Sequence, residues 1–312
     1  MMRTKLATAA VAPVYLWGAL LGGELPTRLR TEAFQTSLVR AAAGAKQLHS
    51  RAARPLLVLA RMSHGGDLHF AATHHLIKRM ASWTGAPAWL AQLRRLPASS
   101  QPAFLTCVDK VMEGLGWRRL QAGQWRRGEM AHAAGIPLAP RGPATVDVLQ
   151  QDQLAANLHE LRDDWRLGML VTWWRQRRRD AGIAAAQGFT LSAALADWMR
   201  RAAKKLDGHG VAVLAGGMTT QATCSPVPQS CVDCGALEVP GVEHALWRCG
   251  AWQHLRTVAE PAHPLTRRLG WPVGLTTRRE PSRSEILLLE QMARIRKAEA
   301  VARLGRLAEE RQ

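Results

Sequence analysis

The chain has 312 residues, 47% apolar and 21% charged, with 26 glycines and 16 prolines. This composition excludes a collagen, a coiled-coil rod and a wholly disordered chain, and the length is typical of two compact units. The 42 lysines and arginines against 24 aspartates and glutamates leave a net charge of +18. Solubility does not require so large an excess, so we expect a polyanion as partner.

Arginine supplies most of this charge, since only seven of the cations are lysines. A guanidinium group can pair with two phosphate oxygens and lie flat on a base, which favours nucleic acid over a membrane surface as the partner. The alternative is a coding bias that places arginine wherever a solvated cation is tolerated. Composition does not separate the two interpretations.

An apolar run from Leu6 to Gly23 follows a basic start and imitates a signal peptide. Pro13 interrupts the run, no small-residue cleavage site precedes Glu24, and the run is marginal for a membrane span. We therefore expect a buried helix or an extended core segment, with no membrane association and an intracellular location, nuclear or cytoplasmic.

Apolar residues recur every three or four positions in the first half of the chain, which predicts helices over residues 27–47, over 52–81 with a break at Gly65-Gly66, and over 101–115. Residues 117–127 predict a short hairpin around Ala122-Gly123. The stretch from Gly135 to Pro143 predicts a linker.

The same periodicity predicts three helices in the second half of the chain, over residues 145–180, 190–206 and 282–311. The last of these has apolar residues on one face and mixed charges elsewhere, which is typical of a docking helix or a partner-binding helix.

Four of the five cysteines lie between Cys224 and Cys249, which indicates metal binding in a reducing compartment. The spacing C-x2-C-x9-H-x4-C is formed by Cys231, Cys234, His244 and Cys249. These residue types are the ligands of tetrahedral Zn²⁺, and four protein ligands leave no position for a reactive water, so we expect a structural zinc site.

Three alternatives stay open at this cluster. His254 or Cys224 could replace one of the ligands, or the four residues could be unrelated buried thiols and a core histidine. Three thiolates and a neutral imidazole around Zn²⁺ carry a net charge of about −1, and Arg248 and Arg256 are close enough in sequence to offset it.

Three segments around this motif resemble the C-terminal zinc knuckle of non-LTR retrotransposon reverse transcriptases. They are Val213–Thr219, Cys231-Val-Asp-Cys-Gly235, and Glu243-His-Ala-Leu-Trp-Arg-Cys-Gly-Ala-Trp252. Upstream, Ala12–Gly18 and Leu57–Asp67 are similar to the thumb and connection that follow the polymerase palm in this family. The resemblance implies a thumb-like helical region, a zinc knuckle and a nucleic-acid partner.

This chain lacks the catalytic features that the family uses. A reverse transcriptase holds two Mg²⁺ ions on a carboxylate trio that includes an Asp-Asp turn between strands. The one Asp-Asp pair here, Asp163-Asp164, lies in a helical pattern and is interpreted as a solvated helix face. No nuclease motif follows Cys249. We expect no polymerase activity from this chain alone, and the resemblance implies that a palm could be supplied by another chain.

Tryptophans often stand beside arginines in this sequence, an arrangement that suits phosphate contacts and base stacking. The alternative is that the indoles fill the core while the arginines reach solvent. The candidate nucleic-acid contacts are Arg118, Arg119, Arg126, Arg127, Arg175, Arg177, Arg178, Arg179, Trp247 and Arg248.

The predicted fold is mainly α, a thumb-like helical bundle with a small zinc-knuckle subdomain and a C-terminal helix. The predicted units are residues 1–134 (thumb and connection), 135–144 (linker), 145–215 (helical layer), 216–256 (zinc knuckle) and 257–312 (tail and helix). The predicted function is zinc-dependent binding of RNA or DNA.

Three other interpretations compete with this function. One is a zinc hydrolase or nuclease that uses Glu238 or Glu243 as the acid. Another is a protein-interaction scaffold built on the helix from Ser282 to Gln312. The third is a decayed element with no selected role.

Overall fold

The computed structural model describes residue 59 and residues 67–130, 133–176, 188–216, 230–237 and 241–309. This part of the chain is mainly helical with one small three-stranded sheet, which confirms the predicted class. The apolar run at residues 6–23 and the helix predicted over 27–47 lie outside the described residues. None of the described helices combines the length and apolar composition that a bilayer-spanning segment needs.

The first described helices surround the start of the sheet. Helix α1 (Leu68–Ser82) begins at Asp67, whose Oδ1 accepts the amide of Phe70 at 3.1 Å. Helix α2 (Ala86–Arg95), a 3₁₀ turn (Ala98–Ser100) and helix α3 (Ala103–Gly114) follow. The helix predicted over 101–115 is therefore confirmed to within two residues.

A hairpin follows α3, as predicted. Strand β1 (Trp117–Gln121) pairs antiparallel with β2 (Gln124–Arg127) around Ala122-Gly123. Gly116 enters the hairpin with φ +84°, and a Cβ there would lie 2.9 Å from the backbone nitrogen of Met130, so this turn requires glycine.

The helix predicted over 145–180 is wrong at its start. Residues Thr145–Asp147 form strand β3, which pairs with β2 and places Val146 opposite Trp125. The Oδ1 of Asp147 then accepts the amide of Leu149 at 2.9 Å, which forms a turn before helix α4 (Gln151–Gln176). The tertiary pairing with β2 overrides the local helical pattern.

The remaining elements complete the helical layers. They are α5 (Ala193–Lys205), α6 (Gly208–Leu214), one π-type turn (His244–Arg248), a 3₁₀ turn (Gly250–Leu255), α7 (Pro264–Leu269) and α8 (Arg283–Glu309). Helix α5 is capped by Ser192, whose Oγ accepts the amide of Leu195 at 3.0 Å. The predicted helices over 190–206 and 282–311 are confirmed as α5 and α8.

Tryptophans occupy the centre of the packed core. Six indoles are completely or almost completely buried: Trp117, Trp125, Trp165, Trp173, Trp198 and Trp271. Several donate their N–H to a carboxylate or carbonyl; Trp125 bonds Asp109 at 2.8 Å and Trp165 bonds Asp67 at 2.9 Å. For these residues the core interpretation is confirmed, since a buried indole has no face on which a base could stack.

Asp163 and Asp164 do not form a solvated helix face, and that expectation is wrong. Asp164 is 1% exposed and accepts hydrogen bonds from Trp117 Nε1 (2.9 Å), Arg127 Nε (2.7 Å) and Arg141 Nη1 (2.7 Å). Burial raises the pKa of Asp164, although Arg141 and Arg127 oppose that rise. Asp164 is buried against the sheet, whereas Asp163 is covered by Arg166 of the same helix and by Arg278.

The substitution Asp164→Asn tests this hub. It removes the charge that Arg127 and Arg141 share, and Arg127 keeps only Glu160 as a counter-charge, so we expect a loss of about 3 kcal/mol in the free energy of unfolding. Denaturant titration measures the loss, and Glu113→Gln, an exposed carboxylate on α3, serves as the control. A loss no larger than that of Glu113→Gln would contradict a central role for Asp164.

Candidate metal centre and basic surface

Four metal-ligating side chains converge in the C-terminal third of the chain. The ligand atoms of Cys231, Cys234, His244 and Cys249 all lie within 4.8 Å of one another. The sulfurs of Cys231 and Cys249 are 3.9 Å apart, and the sulfur of Cys234 lies 3.5 Å from Nε2 of His244. The structure thus brings together the four residues that the spacing predicted, and they could hold one metal ion.

Two local turns aim these side chains at a common point. In the first, the amide of Gly235 donates to the carbonyl of Cys231 at 2.7 Å, and Gly235 has φ +74°, as a left-handed turn requires. In the second, the π-type turn, the amide of Cys249 donates to the carbonyl of His244 at 2.7 Å. The five-residue closure of that turn brings His244 and Cys249 to the same side.

The thiols differ in their surroundings. A hydrogen bond from the backbone of Ala236 lowers the pKa of Cys234 to about 7, whereas burial raises the pKa of Cys249 to about 12. A cation bound at the centre of the cluster would favour the thiolate at both positions. The cluster therefore has the sulfur and nitrogen donors of a metal site, and most of it is buried from solvent.

Arginine and tryptophan side chains brace the π-type turn. Arg256 donates to the carbonyls of Leu246 (2.9 Å) and Cys249 (2.6 Å), so a guanidinium lies beside the cluster, as the sequence predicted. Trp247 is buried and donates its N–H to the carbonyl of Arg267 at 2.9 Å. Arg248 is exposed on the same turn.

The sequence offered two other candidate ligands for this cluster. His254 is exposed in the 3₁₀ turn and is not one of the converging ligand atoms, while Cys224 lies outside the described residues. Glu243 is within 3.6 Å of Arg268 and 3.9 Å of Arg267, and Glu238 lies outside the described residues.

The cluster is attached to the terminal helix α8. Asp233, inside the C-x2-C turn, forms an ion pair with Arg306 at 2.5 Å. Further along, the buried Oε1 of Gln291 accepts the amides of Thr257 (2.5 Å) and Val258 (2.6 Å). Sequence reasoning missed these supports. A polar Gln291 on the apolar stripe of the predicted helix could have indicated the second support, and no sequence signal indicates the ion pair of Asp233 with Arg306.

Strand alternation divides the four hairpin arginines into two pairs. Arg118 and Arg126 are direct cross-strand neighbours and both are exposed. Among the described residues neither guanidinium has a hydrogen-bond or ion-pair partner. Two like charges directly opposite each other destabilise a sheet, so this arrangement favours an external anion.

The inward pair has internal partners. Arg119 forms an ion pair with Asp109 at 2.8 Å. Arg127 has a side chain only 6% exposed and is bound by Asp164 at 2.7 Å and Glu160 at 2.5 Å. Arg119, Arg127 and the buried Trp247 are therefore engaged by partners within the fold. Arg175 is exposed at the end of α4, and Arg177, Arg178 and Arg179 lie outside the described residues.

Acidic side chains are turned inward across the described part of the chain. Its buried charged residues are all carboxylates, namely Asp147, Asp163, Asp164, Asp197 and Glu299, and none is a lysine or arginine. Arginines pair with these carboxylates, some with side chains that are nearly buried, such as Arg127, and others with side chains that are partly exposed, such as Arg201. The described surface is consequently more basic than the composition alone indicates.

Comparisons with protein-family models, with curated proteins and with solved structures found no match to this chain. The resemblance to reverse transcriptases therefore stays a prediction that rests on the quoted residues.

Glu299 gives a test of the helix that supports the cluster. Burial raises the pKa of Glu299 from 4.5 to about 7, with Arg303, Asp233, Arg296 and Arg306 around it. The folded protein then binds more protons than the unfolded chain between these values, so the free energy of unfolding falls as pH rises through this window, by about 3 kcal/mol at most.

In Glu299→Gln this part of the pH dependence should disappear. Urea titrations at pH 5 and pH 8 measure it, and comparison with the wild type at each pH cancels the other titrating groups. Glu290→Gln, an exposed glutamate on the same helix, should keep the wild-type dependence. A constant difference between Glu299→Gln and the wild type at both pH values would show that Glu299 does not ionise in this way.

Proposed function

We propose that this chain binds RNA or DNA largely without regard to nucleotide sequence, and that a structural zinc ion stabilises its fold. The observation that carries the proposal is the placement of charge: the described part of the chain buries five carboxylates and no whole lysine or arginine residue, in a sequence of net charge +18. Phosphates of a polyanion bind such a surface with release of their counterions, which makes the affinity strong and dependent on salt.

Two distances in the cysteine and histidine cluster match those of a tetrahedral zinc site. For a tetrahedral ion with Zn–S near 2.3 Å and Zn–N near 2.0 Å, two sulfurs should lie about 3.8 Å apart, and a sulfur and a nitrogen about 3.5 Å apart. The corresponding distances are 3.9 Å for Cys231 and Cys249 and 3.5 Å for Cys234 and His244. Four protein ligands favour a structural role, which disfavours the hydrolase alternative.

The outward hairpin arginines are the best candidates for the first phosphate contacts. Arg118 and Arg126 are adjacent on one sheet face, where two guanidinium groups can hold successive phosphates. The inward pair, Arg119 and Arg127, anchors the two strands that carry the outward pair through ion pairs with Asp109 and Asp164. Bound phosphate would relieve the repulsion between Arg118 and Arg126.

No polymerase activity is proposed for this chain. Both oxygens of Asp164 accept hydrogen bonds from arginines, and Asp163 is bound by Arg166 at 2.9 Å and by Arg278. Carboxylates engaged in this way are poor ligands for Mg²⁺, which needs free oxygens and bound water. The resemblance to reverse transcriptases further implies a palm on another chain as a partner.

One observation favours a protein-interaction scaffold as a second candidate. Val301 and Leu304 are more than half exposed and lie three residues apart on α8, so they share one outward strip of that helix. If a partner protein binds there, Val301→Glu with Leu304→Glu should abolish its capture while nucleic-acid binding stays unchanged.

Metal analysis of the purified protein tests the zinc centre. We expect one equivalent of zinc in the wild type and none in Cys231→Ser or His244→Ala, because three ligands hold the ion far less tightly than four. Cys107→Ser is the matched control, since Cys107 is a thiol outside the cluster. Zinc retained at one equivalent in Cys231→Ser and His244→Ala would refute the site.

The salt dependence of binding tests the basic surface. The affinity for a labelled single strand, measured by fluorescence anisotropy, should fall steeply between about 50 and 200 mM salt. The double substitution Arg118→Gln, Arg126→Gln should reduce the slope of log affinity against log salt by about 1.4, since each lost phosphate contact removes about 0.7. The control Arg283→Gln removes one exposed guanidinium from α8 and should leave the slope nearly unchanged. An affinity that is insensitive to salt would contradict the proposed function.

A further inference from the structure

A cleft of about 440 Å³ lies beside the outward arginine pair. Its residues come from β2, from the connection to β3 and from one face of α4: Arg126, Arg127, Gly142, Pro143, Ala144, Thr145, Gln153, Asn157 and Glu160. Its volume is in the range of small-molecule sites.

The helix side of the cleft presents groups that match the edge of a nucleobase. Gln153, Asn157 and Glu160 are spaced four and three residues apart, so they lie on one face of α4. The Nδ2 atom of Asn157 is buried and, among the described residues, has no hydrogen-bond partner. Such an unsatisfied donor is costly in a protein interior, and an acceptor brought by a ligand would remove that cost.

An amide offers both a donor and an acceptor and can turn over to present either one. Glu160 adds a carboxylate whose side chain is 47% exposed, with one oxygen held by Arg127. Donors and acceptors on a base edge can therefore both be satisfied here. This combination suits any of several bases and agrees with sequence-tolerant binding.

The remaining walls supply apolar surface and charge. Pro143 and Ala144 form an apolar side against which a flat ring can pack, and Arg126 belongs both to the cleft and to the outward pair. A phosphate on Arg126 would place its own nucleotide beside the opening.

We propose that the cleft between β2, β3 and α4 binds one unpaired base of a nucleic-acid strand whose phosphate is held by Arg126. This inference rests on the proposed function and adds to it a specific subsite for single-stranded nucleic acid.

Two single strands of equal length and phosphate number test the subsite, one with normal bases and one with abasic positions throughout. If the cleft binds a base, the wild type should prefer the base-bearing strand by about fivefold or more, as expected for one base contact of about 1 kcal/mol or more. Asn157→Leu, which keeps the side-chain size and removes the amide, should abolish this preference and leave the affinity for the abasic strand unchanged.

Ala144→Leu is a second variant, which fills the cleft from the opposite wall and should have the same effect. Gln176→Leu, an exposed amide at the end of α4, is the matched control and should keep the preference.

The outcomes distinguish a failure of the base subsite from a failure of the proposed function. Equal binding of the two strands by the wild type, or a preference that survives in both variants, would overturn the base subsite while salt-sensitive binding of both strands still supports the proposed function. If neither strand binds in a salt-sensitive way, the proposed function fails and the subsite fails with it.

Discussion

One buried carboxylate, Asp164, is the interaction on which the arrangement of the first half of the protein depends. It joins helix α4 to β1 through Trp117, to β2 through Arg127, and to the connection before β3 through Arg141. A charge can stay buried only when it is paired and hydrogen-bonded, so this hub requires all three segments to be in place together. Because Arg127 points inward to Asp164, its neighbour Arg126 points outward, where it borders both the basic face and the cleft.

The cysteine and histidine cluster depends in the same way on distant support. Its two turns are local, but Asp233 is tied to Arg306, and Gln291 binds the backbone that follows the 3₁₀ turn. Metal binding and docking of α8 should therefore stabilise each other, since each fixes a segment that the other needs. A zinc ion in this position would help connect the C-terminal helix to the rest of the protein, which is a structural role and not a catalytic one.

Arginine has two roles in this chain, and the amino-acid composition does not distinguish them. Some guanidinium groups neutralise buried carboxylates; Arg200 and Arg201 both bind Asp197. Others, of which Arg118 and Arg126 are the clearest pair, face outward. The inward group orders the fold and removes acidic charge from the surface, and this leaves the outward group in a more positive field. The proposed function rests on that separation.

The sequence by itself determined the features that depend on short spacings. These are the helices α3, α5 and α8, the hairpin at Ala122-Gly123, and the candidate ligand set of Cys231, Cys234, His244 and Cys249, since helical period, turn residues and metal-ligand spacing are local properties. Only the tertiary structure decided that residues 145–147 join the sheet, that Asp163 and Asp164 are buried, and that Arg119 and Arg127 turn inward while Arg118 and Arg126 turn outward. The physical reason is that burial is settled by partners far away in the chain, as when Trp117 meets Asp164 across 47 positions, and no local pattern of residues records such a partner.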